Sequence, residues 1–185
     1  MRLWRAFPWD PGADPGAGGH PLHVPRAGQG GGRHDNPLLY GALYLSELPT
    51  AAAGELLAHL RGQALEDPDL ERGGRRLALV ALEAEVDGRL FDLDDPSVLV
   101  ARRLRPSIVA TGRRETTQRW ARELFRAPPP RAGFRWWSTI ESSWLHVTLF
   151  DRAMSRVSIA SPPEALRTRH PAVRAAADAL GIAIA

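Results

Sequence analysis

Between residues 31 and 62 the chain carries an arginine, a phenol and a lone carboxylate on segments that can fold back on one another. Arg33 closes the loop Gly31-Gly32-Arg33, Tyr44 sits in the apolar run 38–45, and Glu55 lies within 49–60. A guanidinium holds phosphate or carboxylate through two parallel N–H donors. A phenol offers a flat ring and one hydroxyl, and a carboxylate stabilises positive charge nearby. These types at this spacing suit an anionic ligand. Two of them also have a plainer reading: Tyr44 as a core aromatic, and Glu55 as a solvated helix carboxylate.

The elements that must position them are legible locally. The run 38–45 is short, apolar and aromatic, bounded by Asn36-Pro37 and by Glu47-Leu48-Pro49, which reads as a buried strand. Over 49–60, Ala52, Ala53, Leu56, Leu57 and Leu60 form one helical stripe, with Pro49 suited to the first turn and Gly62 to the stop. Glu55 falls mid-helix beside that stripe, where burying it unpaired would cost several kcal/mol.

Upstream, Met1-Arg2-Leu3-Trp4-Arg5-Ala6-Phe7 alternates as a first strand, placing Leu3, Arg5 and Phe7 on one face. An edge charge facing solvent is the plain reading of Arg5. Residues 8–36 are rich in Gly, Pro and Asp and form a long loop. Gly28-Gln29-Gly30-Gly31-Gly32-Arg33 lacks the Lys-Ser/Thr of a phosphate-binding P-loop, and the pair His20 and His23 has no third metal ligand nearby. Downstream, 76–86 reads as a strand and 89–93 as its hairpin partner across Asp87-Gly88. A short helix follows Asp95-Pro96, and a longer one over 114–125 carries Trp120, Ala121, Leu124 and Phe125 inward. Residues 133–138 and 144–150 read as strands, 155–160 as an edge strand, Ser161-Pro162-Pro163-Glu164 as a capping box opening a short helix, and 171–180 as a last helix stopped by Gly181.

Helices and strands alternate without a βαβ rhythm, so the expected class is α+β with mixed, mainly antiparallel sheet and flanking helices. The 185 residues suit a single domain over 1–185, with the long loop at 8–36 and a helical segment at 161–185. All 24 basic residues are Arg, and the net charge of +3 is too small to argue for a nucleic-acid partner. Absence of Cys excludes disulfides and thiol chemistry. Neither a signal peptide nor an apolar span of ~18 residues is visible, so a cytoplasmic protein without membrane contact is expected. Ser138, His146 and Asp151 invite comparison with a hydrolase triad, but no nucleophile elbow surrounds the serine.

The order of these pieces resembles the RES domain family. The resemblance rests on Leu3-Trp4-Arg5, Gly31-Gly32-Arg33, Leu43-Tyr44-Leu45-Ser46 with Ala53-Gly54-Glu55, Leu90-Phe91-Asp92-Leu93, Thr117-Gln118-Arg119-Trp120-Ala121, and Phe134-Arg135-Trp136-Trp137-Ser138 with Val147-Thr148-Leu149-Phe150. The family often has an aromatic residue and Asn after Gly-Arg, where this chain reads Arg33-His34-Asp35-Asn36.

The resemblance implies a fold similar to mono-ADP-ribosyltransferases and a site that takes NAD as substrate, without a metal, and breaks its nicotinamide–ribose bond. It implies the toxin of a toxin–antitoxin pair, with inorganic phosphate or water as acceptor and an antitoxin carrying an Xre-like DNA-binding part as partner. The chemistry distributes roles over Glu55, Arg5 and Ser138 as the catalytic set and Arg5, Arg33, Tyr44 and Ser138 as the dinucleotide-binding set. The alternatives are transfer of ADP-ribose to a protein and a catalytically inactive RES-fold binding module.

Overall fold

The computed structural model describes residues 1–185. In chain order the strands are β1 (Arg2–Pro8), β2 (Ala42–Ser46), β3 (Ala64–Leu65), β4 (Glu71–Arg72), β5 (Arg75–Ala84) and β6 (Leu90–Asp92). They continue with β7 (Gly133–Trp137), β8 (Leu145–Phe150), β9 (Val157–Ile159), β10 (Glu164–Ala165) and β11 (Ala183–Ile184). The helices are α1 (Pro49–Leu57), α2 (Pro96–Ala101), α3 (Pro106–Val109), α4 (Arg114–Arg126) and α5 (Pro171–Leu180). None is long and apolar enough to cross a membrane. The mixture is α+β with mainly antiparallel pairing, as the sequence pattern predicts.

Two compact units are interleaved in the sequence. The first comprises Met1, 24–45 and 84–157. Its strands run in the order β2-β8-β7-β6. β7 and β8 are antiparallel, with Phe134 opposite Thr148 and Trp136 opposite His146, whereas β6 joins the edge in parallel, Phe91 beside Phe134. Helix α4 turns Thr117, Trp120, Ala121 and Leu124 inward at helical spacing, and they close a core with Tyr40, Phe91, Leu93, Phe134, Trp136 and Phe150. Alternation along β7 buries Trp136 and leaves Trp137 half-exposed.

The second unit comprises 2–23, 46–83 and 158–185. β5 pairs antiparallel with β1, from Arg2 opposite Glu83 to Pro8 opposite Leu77, and with β10 on its other side. Helix α1 begins on Pro49 and buries Ala51, Ala52, Ala53 and Leu57. These small residues let α5 approach closely with its own Ala172, Val173, Ala176 and Ala177. Helix α5 starts at Pro171, is capped by the His170 ring accepting from the Ala172 amide at 3.2 Å, and stops where Gly181 turns left-handed at φ 66°.

Three local expectations are corrected. Residues 89–93 do not form a hairpin with β5: β6 pairs in parallel with β7, because Phe91 and Leu93 bury into the first unit's core. Ser161-Pro162-Pro163-Glu164 opens no helix. Its Glu164 and Ala165 form β10 on β5, while the Ser161 hydroxyl accepts from the Ala81 amide at 3.2 Å. The run 38–45 is not one strand; an Asn36–Tyr40 bridge precedes β2, since Tyr40 is drawn aside into the core.

Gly133 marks the tightest crossing in the first unit. A Cβ there would lie 2.0 Å from the Thr148 carbonyl oxygen and 2.9 Å from the Leu149 Cα, both backbone atoms of β8. Gly133→Ala should therefore destabilise by roughly 2–3 kcal/mol, lowering Tm by about 5–10 °C. Gly112→Ala, where nothing lies within 4 Å, serves as the neutral control in the same thermal melt.

Candidate active site

In the first unit the Gly-Arg loop is held by its own next residues. The Asp35 carboxylate accepts from the amides of Gly30 at 2.9 Å and Gly32 at 2.6 Å through Oδ2, and from the Tyr44 hydroxyl at 2.6 Å through Oδ1. The same hydroxyl accepts from the His34 amide at 2.9 Å. Gly32 is required by this closeness: a Cβ there would fall 2.6 Å from both Asp35 Oδ1 and the Tyr44 oxygen. Burial and the Asp35 carboxylate push the Tyr44 phenol pKa well above its usual value, so the proton stays on the oxygen.

Helix α4 grips the loop from a second side. Gln118 Nε2 donates to the Gly32 carbonyl at 2.8 Å and the Gly30 carbonyl at 3.1 Å, and the Thr117 hydroxyl donates to the Arg33 carbonyl. Asn36 Nδ2 donates back to the Gln118 carbonyl at 2.9 Å and to the Tyr40 oxygen at 2.9 Å, while the Tyr40 hydroxyl donates to the His34 carbonyl at 2.7 Å. The departure His34-Asp35-Asn36 thus builds a loop whose polar groups are answered locally.

His34 fills an aromatic cage. Its ring is fully buried, stacked on Tyr44 at 5.8 Å and edge-on to Phe134 and Trp136 at 4.8 Å each, with Trp120 at 4.9 Å. Nδ1 lies 3.0 Å from the Thr148 hydroxyl, which also accepts from Trp136 Nε1 at 3.0 Å. Burial first, then the Arg33 and His146 charges, hold His34 well below the ordinary imidazole range, so the ring is neutral.

Arg33 lies over the Trp136 ring, its guanidinium carbon 5.4 Å from the centroid, and donates from Nη2 to the Val109 carbonyl at 2.9 Å. Two residues beyond Trp136, Ser138 is buried, its amide donating to the Trp144 carbonyl at 2.8 Å and its hydroxyl accepting from the Ile140 amide at 3.0 Å. Arg33 and Tyr44 are therefore tied into one framework through His34, Thr148 and Trp136, and Ser138 follows just beyond the end of β7.

In the second unit Arg5 stands on β1 and Glu55 on α1, elements that pack together. Arg5 is no solvent-facing edge charge. It donates from Nη1 to the Pro21 carbonyl and from Nη2 to the His23 carbonyl at 2.8 Å, and it packs 5.1 Å from the Phe7 centroid. Burial lowers its pKa to about 10, which still leaves it charged at neutral pH. Glu55 is exposed, beside the buried Gly54 and Leu57.

Sequence reasoning gave no role to Thr117, Gln118, Thr148 or Asp35. Thr117-Gln118 and Thr148 stood inside motifs already noted, but which carbonyl or ring each meets is a matter of tertiary contact. Asp35 was visible only as a departure beside the glycine loop.

The RES domain family model matches residues 2–169. No curated protein matches the chain. Among solved structures, a chain of the M. tuberculosis MbcT-MbcA toxin–antitoxin complex superposes with a TM-score of 0.58 at 16% identity, covering 90% of this chain and 84% of that one. That likeness shows the fold.

A buried neutral His34 has a pH consequence of defined sign. Its folded pKa lies below the unfolded value of 6.5, so as pH falls through about 6.5 the unfolded chain takes up a proton that the folded chain refuses. Stability is fully present above that pH and falls by up to about 1.36 kcal/mol per unit below it. Melts at pH 7.5, 6.5 and 5.5 should show a steeper loss for wild type than for His34→Phe, which keeps an aromatic ring in the cage without the titrating group. Equal slopes would contradict the assignment.

Proposed function

The chain belongs to the RES domain family, and on that premise we propose that it cleaves the nicotinamide–ribose bond of NAD, with phosphate or water as acceptor, as the toxin of a toxin–antitoxin pair. The observation that carries this reading is the pre-set Arg33. Its guanidinium is fixed over Trp136 and on the Val109 carbonyl before any ligand arrives, so little ordering remains for a phosphate-bearing ligand to impose.

Departure of nicotinamide leaves an oxocarbenium-like ribose: the C1′–N bond breaks, nicotinamide leaves neutral with the electron pair, and the acceptor oxygen bonds to C1′, a water acceptor releasing one proton to solvent. In this mechanism the Glu55 carboxylate stabilises the positive charge on the ribose ring. Arg5 and Arg33 take the diphosphate, each charge-assisted hydrogen bond contributing roughly 1.5–3 kcal/mol. Ser138 holds a ribose hydroxyl or the incoming phosphate. Tyr44, whose hydroxyl is engaged by Asp35 and His34, meets the substrate through its ring and walls the site. The reading places the enzyme in the cytoplasm, where NAD is available. Its partner is an antitoxin with an Xre-like DNA-binding part, and the resemblance in fold to a chain of a toxin–antitoxin complex supports that partnership.

Purified protein incubated with NAD, with and without phosphate, should release nicotinamide, and with phosphate present the ribose should carry a new phosphate ester at C1′. Glu55→Ala should lower kcat by about 10²–10³, the range for loss of one group stabilising transition-state charge. An inactive wild type, or a variant as active as wild type, would overturn the proposal. Label passing from NAD to a protein band would instead identify ADP-ribosyl transfer.

A further inference from the structure

Four arginines of the first unit line one small cavity that none of the NAD residues shares. Arg89, Arg131, Arg152 and Arg156 surround a space of about 130 Å³, together with the small residues Ala132 and Ala153. The four come from three segments: the turn entering β6, the approach to β7, and the 3-10 turn after β8. No carboxylate lines the cavity, and none of the four guanidiniums forms an ion pair. The acid next to Arg152 in sequence is engaged elsewhere: Asp151 Oδ2 accepts from the Gly41 amide at 2.7 Å and from Arg26 at 3.2 Å.

Two of the four are fixed in place and two are uncommitted. Arg152 donates from Nε to the Arg131 carbonyl at 2.8 Å and from Nη2 to the Phe125 carbonyl at 3.1 Å, with its guanidinium stacked 4.3 Å from the Phe125 centroid. Arg131 donates from Nη1 to the Gly88 carbonyl, and its Nε is buried without a hydrogen-bond partner. Arg89 and Arg156 are exposed and make no side-chain hydrogen bond or ion pair. Converging like charges repel and the buried Arg131 Nε lacks an acceptor, so an anion in the cavity would supply both countercharge and oxygen atoms.

We propose that this cavity binds a phosphoryl group, free or at the end of a small molecule. A tetrahedral oxyanion presents oxygens to several guanidinium forks at once, which a planar carboxylate cannot do. The size selects the same ligand. About 130 Å³ is below the roughly 300–1,000 Å³ of pockets that engulf a whole small molecule, so one anionic group enters and whatever carries it stays outside.

Isothermal titration of the full chain with inorganic phosphate, with AMP, and with chloride at matched ionic strength tests the site. The comparison is between wild type, the double variant Arg89→Gln/Arg156→Gln, and Arg33→Gln. The double variant alters two exposed side chains that hold no part of the fold. Phosphate affinity should fall at least tenfold in the double variant and stay within twofold in Arg33→Gln. Tighter AMP than phosphate, with the same loss, would assign the phosphoryl group to a nucleotide; AMP equal or weaker would assign it to the free anion. Unchanged phosphate binding in the double variant, a loss confined to Arg33→Gln, no binding at all, or an equal response to chloride would overturn the proposal. Nicotinamide release is scored separately, so the NAD reading can fail or stand without altering this result.

Discussion

One carboxylate sets the geometry from which the first unit's framework is built. Asp35 gathers the amides of Gly30 and Gly32 and the hydroxyl of Tyr44, and those bonds fix the loop that ends in Arg33. Both carboxylate oxygens are answered, Oδ2 by two amides and Oδ1 by the Tyr44 hydroxyl, so removing that hydroxyl would leave Oδ1 desolvated without this partner. From Tyr44 the chain of contacts runs through the His34 backbone, across the His34 ring to Thr148, and on to Trp136, the ring over which Arg33 lies. The loop glycines make this possible by absence: a methyl group at Gly32 would occupy the space of the Asp35 and Tyr44 oxygens.

Preorganisation of this kind matters most where the ligand is an anion. A guanidinium on a free side chain loses rotamer freedom when it binds, whereas Arg33 has already given that up to Trp136 and Val109. Arg5 is treated similarly in the second unit, where the Pro21 and His23 carbonyls take its donors. That anchoring also ties the middle of the long Gly- and Pro-rich loop, at residues 21–23, to β1.

Much of this fold was legible in the sequence wherever a pattern was local. Pro49 with the stripe behind it gave α1, Trp120 and Leu124 gave the buried face of α4, and Pro171 with Gly181 gave both ends of α5. The failures share a cause. The partner of residues 89–93 was decided by Phe91 and Leu93 entering a distant core, not by the turn at Asp87-Gly88, and β10 formed because β5 had an edge to fill. For the site, the family order picked out Arg5, Arg33, Tyr44, Glu55 and Ser138 as residue types. It could not show that the Tyr44 hydroxyl is spent on Asp35, nor that His34 sits in an aromatic cage, because both depend on which side chains meet across β2, β7, β8 and α4. The four-arginine cavity was hidden for the same reason, its members lying in three segments separated along the chain.

The packing of α5 on α1 bears on when, during synthesis, the helix that carries Glu55 can be held in place. Helix α1 carries Glu55 but has short, mostly alanine contacts, and much of what covers its inner face is α5. The family match ends at residue 169, just before that helix begins. A nascent chain therefore exposes every residue assigned to NAD before it can make the support on which the Glu55 helix rests. Contacts so distant in sequence form late. The helix that carries Glu55 therefore gains this cover only after translation has passed residue 180.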